Sequence, residues 1–275
     1  MKKVLLLDGY NLFYRARYSN MRKGKHSTIF NFFRSLRPLV EKFSPDSVFL
    51  VLEGMPKKRM LLSEDYKGTR VHTNEDNFKE QRRAIENILE RFYPINLVRQ
   101  PDFECDDIIG HLANKFSSDS KVTIVSTDTD FIQSIDENVE LYNPVRKLFI
   151  EKFECNYVLY KALKGDAADN IIGFSGIGDK TAKKLVKSKE LMKEFLDKEG
   201  NLEKFKHNVE MIRFHQLNEE EIENINFFGY NLEGWDLLRN TFKEMEFKSM
   251  TEKDTSWEKY IKTFNQIKKE KYITC

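Results

Sequence analysis

Four short apolar runs, KVLLLD, SVFLVLE, INLVR and KVTIVSTD, are rich in β-branched residues, bounded by polar or turn residues, and separated by segments long enough for a helix. Parallel neighbours in a sheet need a crossover of a dozen residues or more, usually helical. The alternation therefore restricts the chain to an α/β fold built on a parallel sheet. The intervening periodicity predicts helices over about Thr28 to Phe43, Phe78 to Phe92 and Asp106 to Phe116. VELYNPVRKLFIE reads as a late hairpin turning at Asn143 and Pro144. After about Glu151 the strand pattern stops, and the remainder reads as helical and lysine-rich, broken by GFSGIG and by polar stretches near Gly200 and Gly229. Two units are expected: residues 1–155 carrying the sheet and residues 156–275 forming an α-helical region.

Lys and Arg number 46 against 44 Asp and Glu, a formal charge of +2, so any electrostatic footprint must come from local segregation of sign. Cys105, Cys155 and Cys275 lack a C-x-x-C spacing, which argues against a disulfide framework and against a zinc site. The apolar run at the N-terminus is interrupted at Asp8, too early for a signal peptide or membrane span. A monomeric, cytoplasmic protein without membrane attachment is expected.

Acid gathers where the runs end. Asp8 closes the first and Glu53 the second, Asp128 and Asp130 follow the fourth, and Glu104, Asp106 and Asp107 in FECDDIIGHL open a helix after the third. In an open parallel sheet the carboxyl ends of the strands share one crevice, where ligands bind. Each acid alone reads as a turn former, a helix cap or a complement to a helix dipole. Together they repel by about 1 kcal/mol or more per pair even at an effective dielectric of ~20, and that calls for a cation. Oxygen donors without histidine favour Mg2+ or Mn2+ over zinc. Two such ions about 4 Å apart would clamp the attacking and leaving oxygens of a phosphoryl displacement.

Two basic stretches flank these acids. MPKKRMLLSEDYKGTRVH follows Glu53 and supplies Lys57, Lys58, Arg59, Lys67 and Arg70 on a long connection, either a solvated surface loop or a functional lid holding a phosphate backbone. Without evident local partners for its charges, it is expected to be mobile alone and to order on nucleic acid. LKGDAADNIIGFSGIGDKTAKKLVKSKE adds Asp166 and Asp169, then Gly176 and Gly178 before a helix that opens with Asp179, Lys180 and Thr181. Backbone N–H groups near those glycines, with Lys180, Lys183, Lys184 and Lys187, suit a phosphate at a positive helix end; the bland alternative is a solvated helix face.

In chain order, LLLDGYNLFYRA, VLEG followed by DYKGTR, FECDD, STDTDF and LKGDAADNIIGFSGIGDKTAKKL resemble the flap endonuclease and 5′ nuclease superfamily, including the 5′ nuclease domain of bacterial DNA polymerase I and phage ribonuclease H-type enzymes. The set covers about Met1 to Val186, and it is the combination that is specific. The resemblance implies a PIN-like nuclease domain whose arch or gateway is the segment at about 55–78, and a helix-three-turn-helix element at about 163–190 that grips duplex DNA. It implies a divalent-metal cluster of Asp8, Glu53, Glu104, Asp106, Asp128, Asp130 and Asp169, with Asp107 and Asp166 as close supporting acids. Lys67 and Arg70 would contact the scissile phosphate, Tyr66 would stack on a base and Arg15 would support the phosphate region. Backbone carbonyls of Leu163, Lys164, Ile172, Phe174 and Ile177 match those that hold a potassium ion in some relatives. Glu53 departs from the usual Asp, and Cys105 from a common Ala, a change read as small buried packing. Beyond Val186 the resemblance fades.

The implied activity is that of a structure-selective 5′ nuclease hydrolysing phosphodiester bonds of branched or nicked DNA, or of an RNA–DNA primer hybrid. It would use a pair of Mg2+ ions, Mn2+ substituting, in primer or flap removal during replication in a bacterial or phage-infected cell, with replication proteins as unidentified partners. One rival is a non-catalytic branched-DNA binder that retained the fold, for which uncompensated carboxylates facing phosphate bring no benefit. Another is a glycosyltransferase using the DTD triplet, which leaves the glycine hairpin unexplained.

Overall fold

The computed structural model describes residues 1–68, 75–229 and 231–268. All four predicted runs form strands: Lys2–Asp8 (β1), Ser47–Leu52 (β2), Asn96–Arg99 (β3) and Ser120–Val125 (β4). β1 lies between β2 and β4 and is parallel to both, and β2 carries β3 on its far side, also parallel. The predicted hairpin is Val139–Asn143 (β5), parallel to β4, turning into Leu148–Ile150 (β6) with Tyr142 opposite Phe149. Its turn is built by Asn143, whose Oδ1 accepts the N–H groups of Val145 and Arg146 at 3.0 and 2.9 Å.

Helices cover both faces, which is why the strand runs are continuously apolar rather than alternating. Gly9–Tyr18 (α1), Ser27–Phe43 (α2), Lys57–Leu62 (α3), Glu75–Phe92 (α4) and Cys105–Phe116 (α5) connect the parallel strands. Leu5, Leu7, Leu50, Leu52 and Leu97 pack with α1, α2 and α4 on one face; Val4, Leu6, Phe49, Val51, Val98 and Ile124 pack with α5 on the other. A third core forms around Tyr157–Lys164 (α6), Asp179–Lys187 (α7), Lys189–Leu196 (α8) and Asn201–Ile212 (α9), with the short pair Gly165–Asp166 (β7) and Ile171–Ile172 (β8).

The strand pattern does not end at Glu151. After Glu219–Glu223 (α10), Asn226–Phe228 (β9) pairs antiparallel with β3 and closes the sheet order β6-β5-β4-β1-β2-β3-β9. Trp235–Glu244 (α11), Lys248–Thr251 (α12) and Asp254–Asn265 (α13) then place Leu238, Phe242, Phe247, Trp257 and Phe264 in the same core as Phe33 and Phe92. α6 begins at Tyr157, close to the expected boundary, and the last described helices pack on α2 and α4, in the core on one face of the sheet.

Candidate active site and metal centre

The acids converge as the parallel topology requires. Asp8 ends β1 and caps α1, its Oδ1 accepting the Asn11 N–H at 2.9 Å and its Oδ2 the Ser126 hydroxyl at 2.6 Å. Ser126 Oγ in turn accepts the Asp128 N–H at 3.0 Å, and Asp128 Oδ1 accepts the Asp130 N–H at 2.9 Å, capping the 3-10 turn Thr129–Ser134. These aspartates are indeed caps and turn formers, and capping is what aims them. Glu53 follows β2, and its carboxylate accepts the Cys105 N–H at 3.2 Å. Gly54 permits the approach: a Cβ there would sit 2.1 Å from the carbonyl oxygen of Gln100.

Asp8, Glu53, Glu104, Cys105, Asp106, Asp128 and Lys67 line a cleft of ≈ 600 Å³. An adjoining cavity of ≈ 500 Å³ shares Lys67, Asp106 and Asp128 with it and adds Asp130, Lys161, Asp166 and Asp169. Ligand atoms of Asp8, Cys105 and Asp106 lie within 4.8 Å of one another, as do those of Asp130, Asp166 and Asp169. The donors are carboxylates apart from one thiol, a set that suits hard divalent ions. Cys105 is buried as read from the sequence, yet its Sγ sits 3.2 Å from Asp106 and 3.6 Å from Asp8 as well as in apolar packing.

Crowding shows in the proton affinities. Burial, then the charges of Asp8, Asp128 and Glu53, push Asp106 well above the usual carboxylate range. Burial raises Asp8 against the hydrogen bonds of Ser126 and Asn11, and burial followed by Glu104 raises Glu53. Asp130 is pushed up to about 6 by burial, although Lys161 pulls it down. These groups hold protons more tightly folded than unfolded, so their ionisation opposes folding. The penalty is absent below the ordinary carboxylate value, grows as pH rises, and for Asp130 is complete above about 6. A bound cation removes it. At one fixed concentration, Mg2+ or Mn2+ is therefore expected to raise the melting temperature more at pH 7.5 than at pH 5; where the ion is in hundredfold excess over Kd, binding adds about 2.7 kcal/mol of stability. Thermal denaturation with and without EDTA measures this, and equal shifts at the two pH values would count against it.

Not every predicted residue joins the cleft. Asp107 follows Asp106 on α5, and successive helical residues point to different faces. It is 1% exposed, bound by Arg59 through two hydrogen bonds of 2.7 and 2.9 Å, and accepts the His215 N–H at 2.9 Å, so it is an internal anchor and not a cleft acid. Tyr66 is 9% exposed and donates its hydroxyl to Glu104 at 2.9 Å, which leaves it inside the third core and not free to stack on a base. Lys67 does reach the cleft, its ammonium on Glu104. Arg70 lies outside the described residues. Arg15 is not among the cleft-lining residues; its Nη1 is buried without a hydrogen-bond partner among the described residues, and burial lowers its pKa.

The basic connection is also better tied than its sequence suggests. Lys57 pairs with Asp102 at 2.6 Å, Lys58 with Glu221 at 2.7 Å, and Arg59 with Glu104 and Asp107, so its described part, α3 included, has the partners that the sequence did not reveal. Lys161, which no motif flagged, is 9% exposed and donates to Asp130 and Asp166, both at 2.5 Å. Its place five residues before Asp166, in LYKALKGD, was the hint in the sequence.

At the hairpin, Gly176 has φ +75°, a conformation that favours glycine, and Gly178 precedes α7 with no side-chain cap on the helix. Lys180 and Thr181 are exposed there. Lys183 is instead paired with Glu154 and Asp179, both at 3.1 Å. The carbonyls at the expected potassium positions also take part in the hairpin's own hydrogen bonds. The carbonyls of Leu163 and Phe174 accept the N–H groups of Phe174 and Ile177, and that of Ile172 accepts Asn208 Nδ2. The intervening Gly173 carbonyl already receives the Lys204 ammonium at 2.7 Å. Lys164 and Ile177 complete the expected five.

A family model described as "5'-3' exonuclease, N-terminal resolvase-like domain" matches residues 3–162. The chain is 32% identical over 209 residues to the 5′-3′ exonuclease of Mycoplasmopsis pulmonis, covering 71% of this chain and 70% of that protein. It is 35% identical over 203 residues to that of Aquifex aeolicus, covering 68% and 70%. Among solved structures, the bacteriophage T5 D15 flap endonuclease in a pseudo-enzyme-product complex with DNA and metal ions superposes with a TM-score of 0.63 at 19% identity, covering 77% of this chain and 89% of that one. The catalytic core of Rad2 in complex with DNA substrate gives 0.56 at 16% identity, covering 95% and 91%. With these two the chain shares its fold, a PIN-like arrangement around a largely parallel sheet.

Proposed function

The chain belongs to the 5′-3′ exonuclease family, and on that footing we propose that it is a structure-selective 5′ nuclease cutting phosphodiester bonds at flaps, nicks and branched ends with two divalent ions. Magnesium is the natural ion, with manganese able to replace it. The observation that carries this reading is the pair of acid groups joined by Asp106 and Asp128 at the carboxyl edge of the sheet. Asp8, Glu53, Glu104, Asp106 and Asp128 would hold one ion, and Asp106, Asp128, Asp130, Asp166 and Asp169 the other. Divalent ions bound there supply charge neutralisation and polarisation of phosphoryl and water oxygens. Lys67 brings an ammonium group to the same walls, where it would offset charge that develops on the phosphate, and Lys161 neutralises Asp130 and Asp166.

The uncapped start of α7, with Gly176, Gly178, Lys180 and Thr181, suits the backbone of duplex DNA at a positive helix end. Removal of flaps or RNA primers in the cytoplasm by a monomer fits this chemistry. The T5 and Rad2 complexes support DNA as the partner. A labelled 5′ flap should be cut near its junction in Mg2+, leaving 5′ phosphate and 3′ hydroxyl ends, while a matched 3′ flap and an EDTA-treated reaction stay intact. Tight binding with no cutting in Mg2+ or Mn2+ would favour the non-catalytic binder.

A further inference from the structure

Arg59 reads in sequence as one more cation facing phosphate, but its side chain turns inward and is 3% exposed. Its guanidinium has five N–H groups, and the surroundings take all of them. Nε donates to the Met211 carbonyl at 3.0 Å. Nη1 donates to Glu104 Oε2 and Asp107 Oδ2, both at 2.7 Å. Nη2 donates to Asp107 Oδ1 at 2.9 Å and to the Arg213 carbonyl at 3.0 Å. One planar group thus joins α3, the first turn of α5 and the strap that leaves α9.

The same strap is fastened twice more. His215 N–H donates to Asp107 Oδ1 at 2.9 Å, and Gln133 both donates to the Ile212 carbonyl at 3.3 Å and accepts the Phe214 N–H at 3.1 Å. Gln133 belongs to the 3-10 turn that carries Asp130. The two acid-bearing turns, at the start of α5 and after β4, therefore hang from residues 211–215. Within that frame Arg59 and the Tyr66 hydroxyl fix Glu104 Oε2, which leaves Oε1 toward the Lys67 ammonium at the cleft wall.

We propose that Arg59 is a positioning residue: it sets the Glu104 carboxylate and the first turn of α5 for divalent-ion binding, and seats α3 so that Lys67 enters the cleft. The cleavage half of this proposal rests on the 5′ nuclease reading; the ion-binding half does not.

Arg59→Lys is the informative variant. It keeps the charge and the aliphatic stem but replaces a planar fork with a single nitrogen that cannot span two carboxylates and two carbonyls. Mn2+ binding, followed by electron paramagnetic resonance without DNA, is expected to weaken about tenfold or more, the scale of lost outer-shell support at metal sites. Single-turnover cleavage of a 5′ flap at saturating Mn2+ should slow by a similar factor, with flap affinity within about threefold of wild type. In a Glu104→Gln background the same change should add less to the loss of Mn2+ binding than it costs in the wild type, because part of the effect passes through Glu104.

Wild-type Mn2+ affinity and cleavage rate in Arg59→Lys, with only the melting temperature lowered, would reduce Arg59 to a structural ion pair and overturn the proposal. Full additivity with Glu104→Gln would overturn it too. If Arg59→Lys does not fold, Asp107→Asn, which frees one side of the fork and keeps the Glu104 contact, should weaken Mn2+ binding in the same direction, and unchanged binding there overturns the proposal. A wild-type protein that binds Mn2+ yet cuts no flap would sink the nuclease reading instead, leaving the ion-binding measurement to decide the role of Arg59.

Discussion

Asp106→Asn is expected to lower flap cleavage on the order of a thousandfold while raising the melting temperature of the metal-free protein. Asp106 lines both cavities and belongs to the group formed with Asp8 and Cys105, so its carboxylate is shared between the two proposed ion sites. Loss of a preorganised electrostatic group at a reacting centre commonly costs about 10²–10³ in rate, and one that serves two ions belongs at the upper end. Stability should move the other way. Burial and the charges of Asp8, Asp128 and Glu53 all oppose its ionisation. Each close like-charged pair costs about 1 kcal/mol or more at an effective dielectric near 20, so a neutral amide of the same shape should return about 1–2 kcal/mol. For a chain of this length that is a rise of several degrees, at about 2–4 °C per kcal/mol. Single-turnover kinetics in Mg2+ and calorimetry in EDTA read the two halves. A variant that lost both activity and stability would mark Asp106 as a fold element and not as a residue strained for function.

Much of this site was legible because both faces of a parallel sheet are covered. β1, β2, β3 and β4 had to be unbroken apolar runs, and the acids that end or follow them had to share an edge. What stayed hidden depends on contacts far apart in sequence or on direction around a helix. Asp106 and Asp107 are neighbours in the chain, but a turn of about 100° sends one to the cleft and the other to Arg59. Lys161 could not be read as the counter-ion of Asp130 because only the fold closes the 31-residue gap between them. For the same reason Lys57 and Lys58 looked unpartnered, although Asp102 and Glu221 hold them. β9 has three residues, NFF, too few for any periodicity to declare itself, and its strand character comes from β3 alongside. The family resemblance named Lys67 and most of the acids that line the cleft. It misdirected the reading of Tyr66, whose hydroxyl is spent on Glu104 in this chain.

Arg59→Met should destabilise the protein by about 3–5 kcal/mol, the range for removing one partner from a buried ion pair. Glu104 and Asp107 are 2% and 1% exposed, and the carbonyls of Met211 and Arg213 would lose their donors as well. Burial alone would lower the proton affinity of Arg59. The hydrogen bonds and charge of Asp107, then the charge of Glu104, more than reverse this, so the guanidinium stays ionised and its removal uncovers two anions. At about 2–4 °C per kcal/mol the melting temperature should fall by roughly 10 °C or more. Removing Asp107 as well, in Arg59→Met with Asp107→Leu, should recover part of the loss, since replacing both members of a buried pair by apolar groups is often close to neutral. The recovery stays partial because, among the described residues, Glu104 keeps only Tyr66 and Lys67 as side-chain partners. Urea unfolding of the two single variants and the double one gives the coupling, expected at about 2 kcal/mol or more for groups in direct contact. The exposed pair of Arg91 and Glu233, equally short at 2.7 Å, is the control: Arg91→Ala should leave the urea midpoint almost unmoved. Were Arg59→Met to behave like that control, water would have to reach the guanidinium site, and the strap at 211–215 could not be the rigid support that holds the acid turns in place.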